Sequence, residues 1–200
     1  KADTTFLERW LETDFAPAQL LQSLENVIRV IAAKNGNEVI INVDPHLKAG
    51  MRADMNRLNQ VLLNLAGNAA KFTHNGTIAL HASLTHGGER IGFIVSDTGE
   101  GIPEELQSRL FQPFEQGENG RAAGKNSNGL GLAISDRIVR LMGGKIGFCS
   151  DARCGTSFFF DLPYVNGACG LAEFEVRTAV RPDFQLGGLR DGWQVGDRLS

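Results

Sequence analysis

The chain has 200 residues, 42% hydrophobic and 22% charged, which suits one globular domain with a small appendage and excludes disorder and fibrous repeats. Its 20 Lys plus Arg stand against 23 Asp plus Glu, a net charge of -3, so the basic excess that phosphate-backbone binding draws on is lacking and no nucleic-acid partner is expected. No apolar run approaches the roughly 20 residues that span a bilayer, and Lys1-Ala2-Asp3 shows neither an initiator Met nor a signal-peptide pattern. The expectation is a soluble, cytoplasmic piece of a longer protein without direct membrane contact.

Residues 1–14 are mixed and predicted helical. From Phe15 to Lys34, Leu20, Leu21, Leu24, Val27, Ile28 and Ile31 recur at helical spacing, which predicts a core helix. Val39 to Val43 reads as a strand closed by Asp44-Pro45. Asp54 is the expected N-cap of a second helix running to Phe72 and stopped by His74-Asn75-Gly76. Strands follow at Thr77 to Leu84 and Arg90 to Ser96, joined through Gly87-Gly88 as a hairpin, and then a short helix from Glu104 to Leu110. Glu115 to Asn128, rich in Gly, Asn and small residues, is expected to be a mobile loop. Leu130 to Met142 resumes helical periodicity, and Lys145 to Cys149 and Thr156 to Leu162 read as strands. Beyond Val165 only Glu173 to Arg177 alternates as a strand would. Helices and strands mix about evenly, so the predicted class is α/β: a two-layer sandwich with about three helices on one face of a mixed, mostly antiparallel sheet.

On the second helix, Leu58, Val61, Leu62, Leu65, Ala69 and Phe72 share the core-facing stripe, while Arg57, Asn64, Asn68 and Lys71 form a polar column about 100° around. Such a column is ordinarily a solvated face. Asn is nevertheless a mediocre helix former, and carboxamide oxygens four residues apart also suit a hydrated divalent ion, with a Lys one turn on to meet phosphate. Asp97-Thr98-Gly99-Glu100-Gly101 directly follows a strand. An Asp there is a common turn former, but its carboxylate also suits an exocyclic amine such as that of adenine, with glycines admitting a flat base. Asn128-Gly129-Leu130-Gly131-Leu132 opens a helix, where free N–H groups and the dipole favour phosphate.

Better-known nucleotide patterns are absent. Asn119 and Asn126 break the P-loop around Gly124-Lys125, and Glu104 and Ile134 stand where the dinucleotide pattern needs a third Gly. Protein-kinase catalytic-loop motifs are missing. The histidines His46, His74, His81 and His86 lack metal-ligand partners at useful spacing and are expected at the surface. Cys149, Cys154 and Cys169, an odd number without zinc spacing, read as incidental thiols of a reducing compartment.

Four ordered segments carry a resemblance: Asn64-x-x-x-Asn68-Ala69-x-Lys71-Phe72-Thr73, Asp97-x-Gly99-x-Gly101-Ile102-Pro103, Phe111-x-Pro113-Phe114-Glu115-Gln116 and Gly129-Leu130-Gly131-Leu132. Together they closely resemble the catalytic ATP-binding domain of bacterial sensor histidine kinases, over about Phe15 to Pro163. Arg57-Leu58-x-Gln60-Val61-Leu62-x-Asn64-Leu65 is most similar to the hybrid kinases that carry receiver domains. The resemblance implies a Bergerat-type fold and ATP with Mg2+ as cofactors. It implies three segments: 1–14 as the end of a linker or dimerisation helix, 15–163 as the ATP-binding kinase domain, and 164–200 as a linker or small extension. The implied partners are the dimerisation and phosphoacceptor helices of a membrane-anchored parent, and a receiver domain or response regulator.

By the same resemblance, Asp97 takes the adenine amino group, Gly99, Gly101 and Ile102 line the base, and Phe72 lies in the nucleotide site. Asn64, Asn68 and Lys71 form the catalytic set: Asn68 ligates magnesium, Asn64 supports metal and phosphates, and Lys71 meets the phosphate tail. Phe111 and Phe114 anchor a lid whose cations are Arg121 and Lys125, Gly129, Leu130, Gly131 and Leu132 cradle phosphates, and Thr156 matches a position near the nucleotide. Related ATP-hydrolysing members, such as gyrase and the ninety-kilodalton heat-shock chaperone, carry a water-activating Glu four residues before the magnesium Asn. Asn64 stands there instead and cannot accept a proton, so slow hydrolysis is expected and the γ-phosphoryl group is kept for a histidine. No His here precedes Glu or Asp, so the acceptor is expected before Lys1. The chain departs from the family at Ser127-Asn128, where Gly-Thr is usual; this stiffens the lid hinge. A degenerate docking module and a superfamily ATPase are the competing functions.

Overall fold

The computed structural model describes residues 11–44, 47, 50–112, 130–151 and 154–167. The expected loop at 115–128 and the strand at 173–177 lie outside them.

The first element departs from the sequence expectation. Strand β1 (Thr13–Phe15) stands where helix is predicted, because Pro17 forces Ala16 into an extended backbone (φ -88°, ψ 122°). Helix α1 (Pro17–Ala33) starts on that proline, whose missing N–H has no role in a first turn. It buries Leu20, Leu21, Leu24, Ile28 and Ala32, whereas Val27, read as part of the apolar face, is 46% exposed.

Strands β2 (Glu38–Val43) and β3 (Gly50–Ala53) precede helix α2 (Met55–Phe72). The buried Asp54 caps α2 as expected, its Oδ1 accepting from Arg57 N at 3.0 Å. Asp54→Ala orphans that N–H and is expected to cost about 1 kcal/mol, read as a lower urea midpoint at unchanged slope. On α2 the buried residues are Leu58, Val61, Leu62, Leu65, Ala66, Ala69 and Ala70. Phe72 is 40% exposed rather than in the core stripe, although Ala69, Ala70 and Thr73 around it are buried.

Next come β4 (Thr77–Thr85), β5 (Arg90–Asp97), α3 (Glu104–Gln107), α4 (Gly131–Leu141), β6 (Lys145–Asp151), β7 (Gly155–Pro163) and β8 (Asn166–Gly167). Helix α3 is shorter than the predicted 104–110. The β4–β5 hairpin turns through His86–Gly88, with positive φ at His86, Gly87 and Gly88. The five-stranded sheet has the order β2-β4-β5-β7-β6; β2 and β4 run parallel and the other neighbours antiparallel. This is the expected mixed, mostly antiparallel α/β sandwich. A second sheet, β1-β3-β8, was not anticipated.

Strand alternation places Ile78, Leu80 and Ala82 of β4, Ile91, Phe93 and Val95 of β5, and Phe158, Phe160 and Leu162 of β7 in one core under α1, α2 and α4. Phe93 stacks on Phe160 at 5.0 Å between ring centroids. Each such fully buried side chain contributes about 1.5–3 kcal/mol of transfer free energy. Helix α2 lies between α1 and α4 and serves as the spine of the helical layer. His81, expected at the surface, is half-buried on the other sheet face, and burial lowers its pKa against the opposing pull of Asp44.

Candidate functional site

The start of β4, the end of β5, the start of β7 and the end of α2 meet at one end of the sheet. Asp97 closes β5, opposite Ile78 on one side and Thr156 on the other, and is 7% exposed. Its Oδ1 accepts from Gly99 N at 2.8 Å and Thr156 N at 3.3 Å. Both of those N–H groups reach the same oxygen, Oδ1. Burial pushes the carboxyl above its usual pKa; the Gly99 and Thr156 amides and the nearby Thr73 hydroxyl oppose this. Thr73 Oγ1 is itself buried and makes no hydrogen bond among the described residues.

The turn after Asp97 is fastened to the helical layer and to β4. A Cβ at Gly99 would lie 2.5 Å from the Phe72 carbonyl and 2.9 Å from Thr73 Oγ1, so only glycine lets the turn sit this close to α2. Thr98 Oγ1 accepts from Thr77 N at 3.0 Å. Gly101 turns the chain at φ 73°. Ile102 is held from both sides, its N–H donating to Ser150 Oγ at 2.8 Å and its carbonyl accepting from Gln107 Nε2 at 2.9 Å. Ser150 Oγ also lies 3.0 Å from Thr156 Oγ1, which links the Ile102 turn to the residue that anchors Asp97. Phe111 packs on Phe148 and Phe158, with ring centroids 5.9 and 6.5 Å away.

On the same α2 helix, Asn64, Asn68 and Lys71 are half-buried in a row leading toward Thr73. Asn64 Nδ2 donates to Ser135 Oγ of α4 at 2.9 Å, and a Cβ on Gly131 would collide with Asn64 Oδ1. Lys71 Nζ sits 4.8 Å above the Phe72 ring centroid. Leu130, Gly131 and Leu132, half-buried, form the α4 N-terminus opposite Asn64. The structure thus gathers Asn64, Asn68, Lys71, Phe72, Asp97, Gly99, Gly101, Ile102, Leu130, Gly131, Leu132 and Thr156 around the C-terminal half of α2. Phe114, Arg121, Lys125 and Gly129 lie outside the described residues. A cavity of about 280 Å³ lined by Phe15, Gln19, Leu20, Met55 and Asn59 lies at the opposite, N-terminal end of α2.

The donor set suits a hydrated divalent cation: two hard carboxamide oxygens one turn apart leave most coordination positions to water and ligand, as magnesium prefers. Four residues that brace the site were missed by sequence reasoning, namely Thr73 as a neighbour of Asp97, Gln107, Ser135 and Ser150. Thr73 was visible as part of a motif; the others act across the sheet or between helices and leave no local signal.

A two-layer α/β sandwich with a buried carboxylate at a strand end and amides on the facing helix defines a nucleotide-binding domain of the Bergerat type. The family model described as histidine kinase-, DNA gyrase B-, and HSP90-like ATPase matches residues 53–166, and the chain belongs to this family. It is 37% identical over 152 residues to the sensor histidine kinase AruS of Pseudomonas aeruginosa, covering 74% of this chain and 15% of AruS. To hybrid signal transduction histidine kinase B of Dictyostelium discoideum it is 32% identical over 170 residues, 81% of this chain and 8% of that protein. The chain therefore spans only a minor part of these relatives. Among solved structures it is similar to full-length ShkA in complex with AMPPNP (TM-score 0.70, 33% identity, 80% of this chain and 33% of that one). The catalytic domain of histidine kinase ThkA is also similar (TM-score 0.65, 28% identity, 77% and 96%), as is ThkA in complex with response regulator TrrA (TM-score 0.63, 26% identity, 78% and 42%). The chain corresponds to the catalytic-domain portion of these histidine kinases. No helix among the described residues is long and apolar enough to cross a membrane.

Proposed function

We propose that this domain binds ATP with Mg2+ and passes the γ-phosphoryl group to a histidine on a dimerisation domain of its parent kinase, from which a receiver domain or response regulator takes it. The observation that carries the reading is Asp97: a buried carboxylate at a strand end, with one oxygen tied to two backbone N–H groups, which suits recognition of an exocyclic amine. ShkA with its bound AMPPNP and ThkA with TrrA support the ligand and the response-regulator partner. The hybrid kinase among the relatives supports a receiver domain in the same protein.

In this reading Asp97 recognises adenine, and Gly99, Gly101, Ile102 and Phe72 line the base. Thr156 and Ser150 hold that frame. Asn68 ligates the metal, Asn64 supports it together with the phosphates, and Lys71 meets the phosphate tail. Magnesium, when bound, neutralises charge on the β- and γ-phosphates. Leu130, Gly131 and Leu132 present the α4 N-terminus to phosphate; we assign Gly129 to the same phosphates, Phe114 to the nucleotide site, and Arg121 and Lys125 to the charge on the γ-phosphoryl group. With Asn64 in place of a carboxylate the site has no general base for water, so the phosphoryl group is kept for imidazole. We assign residues 1–14 to the end of a linker or dimerisation helix, 15–163 to the kinase domain and 164–200 to a linker or extension. The domain is assigned to the cytoplasmic side of a membrane-anchored sensor, without membrane or nucleic-acid contact of its own.

Isothermal titration of the chain with AMPPNP, with and without Mg2+, tests the ligand. Saturable binding that tightens with Mg2+ is expected, and no heat at millimolar nucleotide overturns the reading in favour of a docking module. Adding the parent's acceptor helices with labelled ATP is expected to label their histidine. Steady ATP turnover by the chain alone, lost in Asn68→Ala, would instead establish an ATPase.

A further inference from the structure

The Asn64 carboxamide lies between α2 and the first turns of α4. Gly131 and Ser135 are four residues apart and lie on one face of α4. The Asn64 side chain lies along that face, with Nδ2 donating to Ser135 Oγ at 2.9 Å and Oδ1 occupying the space that a Cβ on Gly131 would need. The two ends of the carboxamide are therefore assigned: its amino group is taken up deeper in the helix pair, and its oxygen faces the α4 N-terminus. Ser135 is 1% exposed, too buried to reach any ligand itself. An amide has two chemically opposite ends of nearly equal shape, so its orientation rests on its hydrogen-bond partners.

We infer that Ser135 is a positioning residue, which holds Asn64 with its oxygen, and not its amino group, turned to the metal-bound phosphates. This deepens the proposed function and rests on it. The selection is chemical: an oxygen attracts a divalent cation, whereas an N–H2 group in its place repels it. The glycine at 131 serves the same end, since any side chain there would displace Asn64 from the groove. The hydrogen bond also joins the magnesium helix to the helix that follows the lid, so nucleotide affinity and the seating of α4 are coupled.

The test compares AMPPNP binding by the 200-residue chain with Mg2+ and with EDTA, alongside thermal unfolding. Ser135→Ala is expected to lose about five- to tenfold of affinity in Mg2+ while its affinity in EDTA stays within twofold of wild type. Ser135→Thr, which keeps the hydroxyl, is expected to recover most of the loss. The double variant Asn64→Ala/Ser135→Ala is expected to bind no more weakly than Asn64→Ala, because both changes remove one interaction. Equal losses with and without Mg2+, together with a lowered Tm, would make Ser135 merely structural and overturn the inference. An undiminished Mg2+ effect in Ser135→Ala would overturn it while leaving the ATP-binding reading intact. A wild-type chain that binds no nucleotide at all would overturn both.

Discussion

Asp97→Asn is expected to weaken ATP-analogue binding by about ten- to a hundredfold and to leave the fold in place. The carboxamide oxygen can keep accepting from the Gly99 and Thr156 N–H groups, now bonded to Oδ1, so the turn and the β5–β7 pairing survive. Its amino group then replaces Oδ2 and meets the adenine amine donor to donor. Losing a hydrogen bond to a charged acceptor costs about 1.5–3 kcal/mol, and each 1.4 kcal/mol is tenfold in affinity. Stability should move the other way. Burial raises the pKa of Asp97, so the folded state favours the neutral acid. The contribution of this group is fully present below the unfolded-state value and is lost as pH rises through the raised folded value. At neutral pH the ionised carboxylate is thus a cost, which the neutral Asn removes. Thermal unfolding at pH 7 should show Asp97→Asn at least as stable as wild type, with titration confirming the loss of binding. A Tm well below wild type, or unchanged affinity, would contradict this assignment.

Gly155→Ala is expected to be strongly disruptive. Gly155 opens β7 at φ 86°, in the left-handed region that L side chains avoid. A Cβ there would collide with the carbonyl of Asp97 and come within 2.9 Å of Thr98 Cα, both of them backbone that cannot swing aside. Strain of each kind costs about 1–3 kcal/mol, and the two act together. The relief available is to pull β7 away from the end of β5, which breaks the Thr156 N–H bond to Asp97. Denaturant unfolding should show a loss of about 3 kcal/mol or more, with nucleotide affinity falling in the same variant. Retained affinity at wild-type stability would mean that the turn has another conformation.

Much of this architecture was legible because its signals are local. Asp54 announces α2 through its own side chain, and the alternation of Ile91, Phe93 and Val95 marks β5 without reference to any partner. Asp97 alone reads as an ordinary turn former, and it stood out through its place in the order of the four motifs. The second sheet was not legible: Gly50 to Ala53 and Asn166-Gly167 lack alternation, and they become strands only by pairing with residues far away in the chain. Phe72 misled for a related reason. Its helical phase is right for the core, but its side chain is 40% exposed at the end of the helix, which periodicity along one helix does not reveal. The bracing residues fall in the same class, since Ser135 meets Asn64 across 71 positions and Ser150 meets Ile102 across 48.

The small sheet has a mechanical consequence. Strand β3 takes the incoming segment on one edge, with Asp14 opposite Arg52, and the outgoing segment on the other, with Asn166 opposite Met51. Strands β1 and β8 are thereby both paired to one four-residue strand at the foot of α2. Asp97 stands near the head of that helix, about 27 Å away at 1.5 Å per residue over its 18 residues. Anything that rocks the domain acts at this pivot through a rigid arm of that length. By this geometry a tilt of about 10° at the foot sweeps the Asp97 end through about 5 Å, on the order of one helical turn.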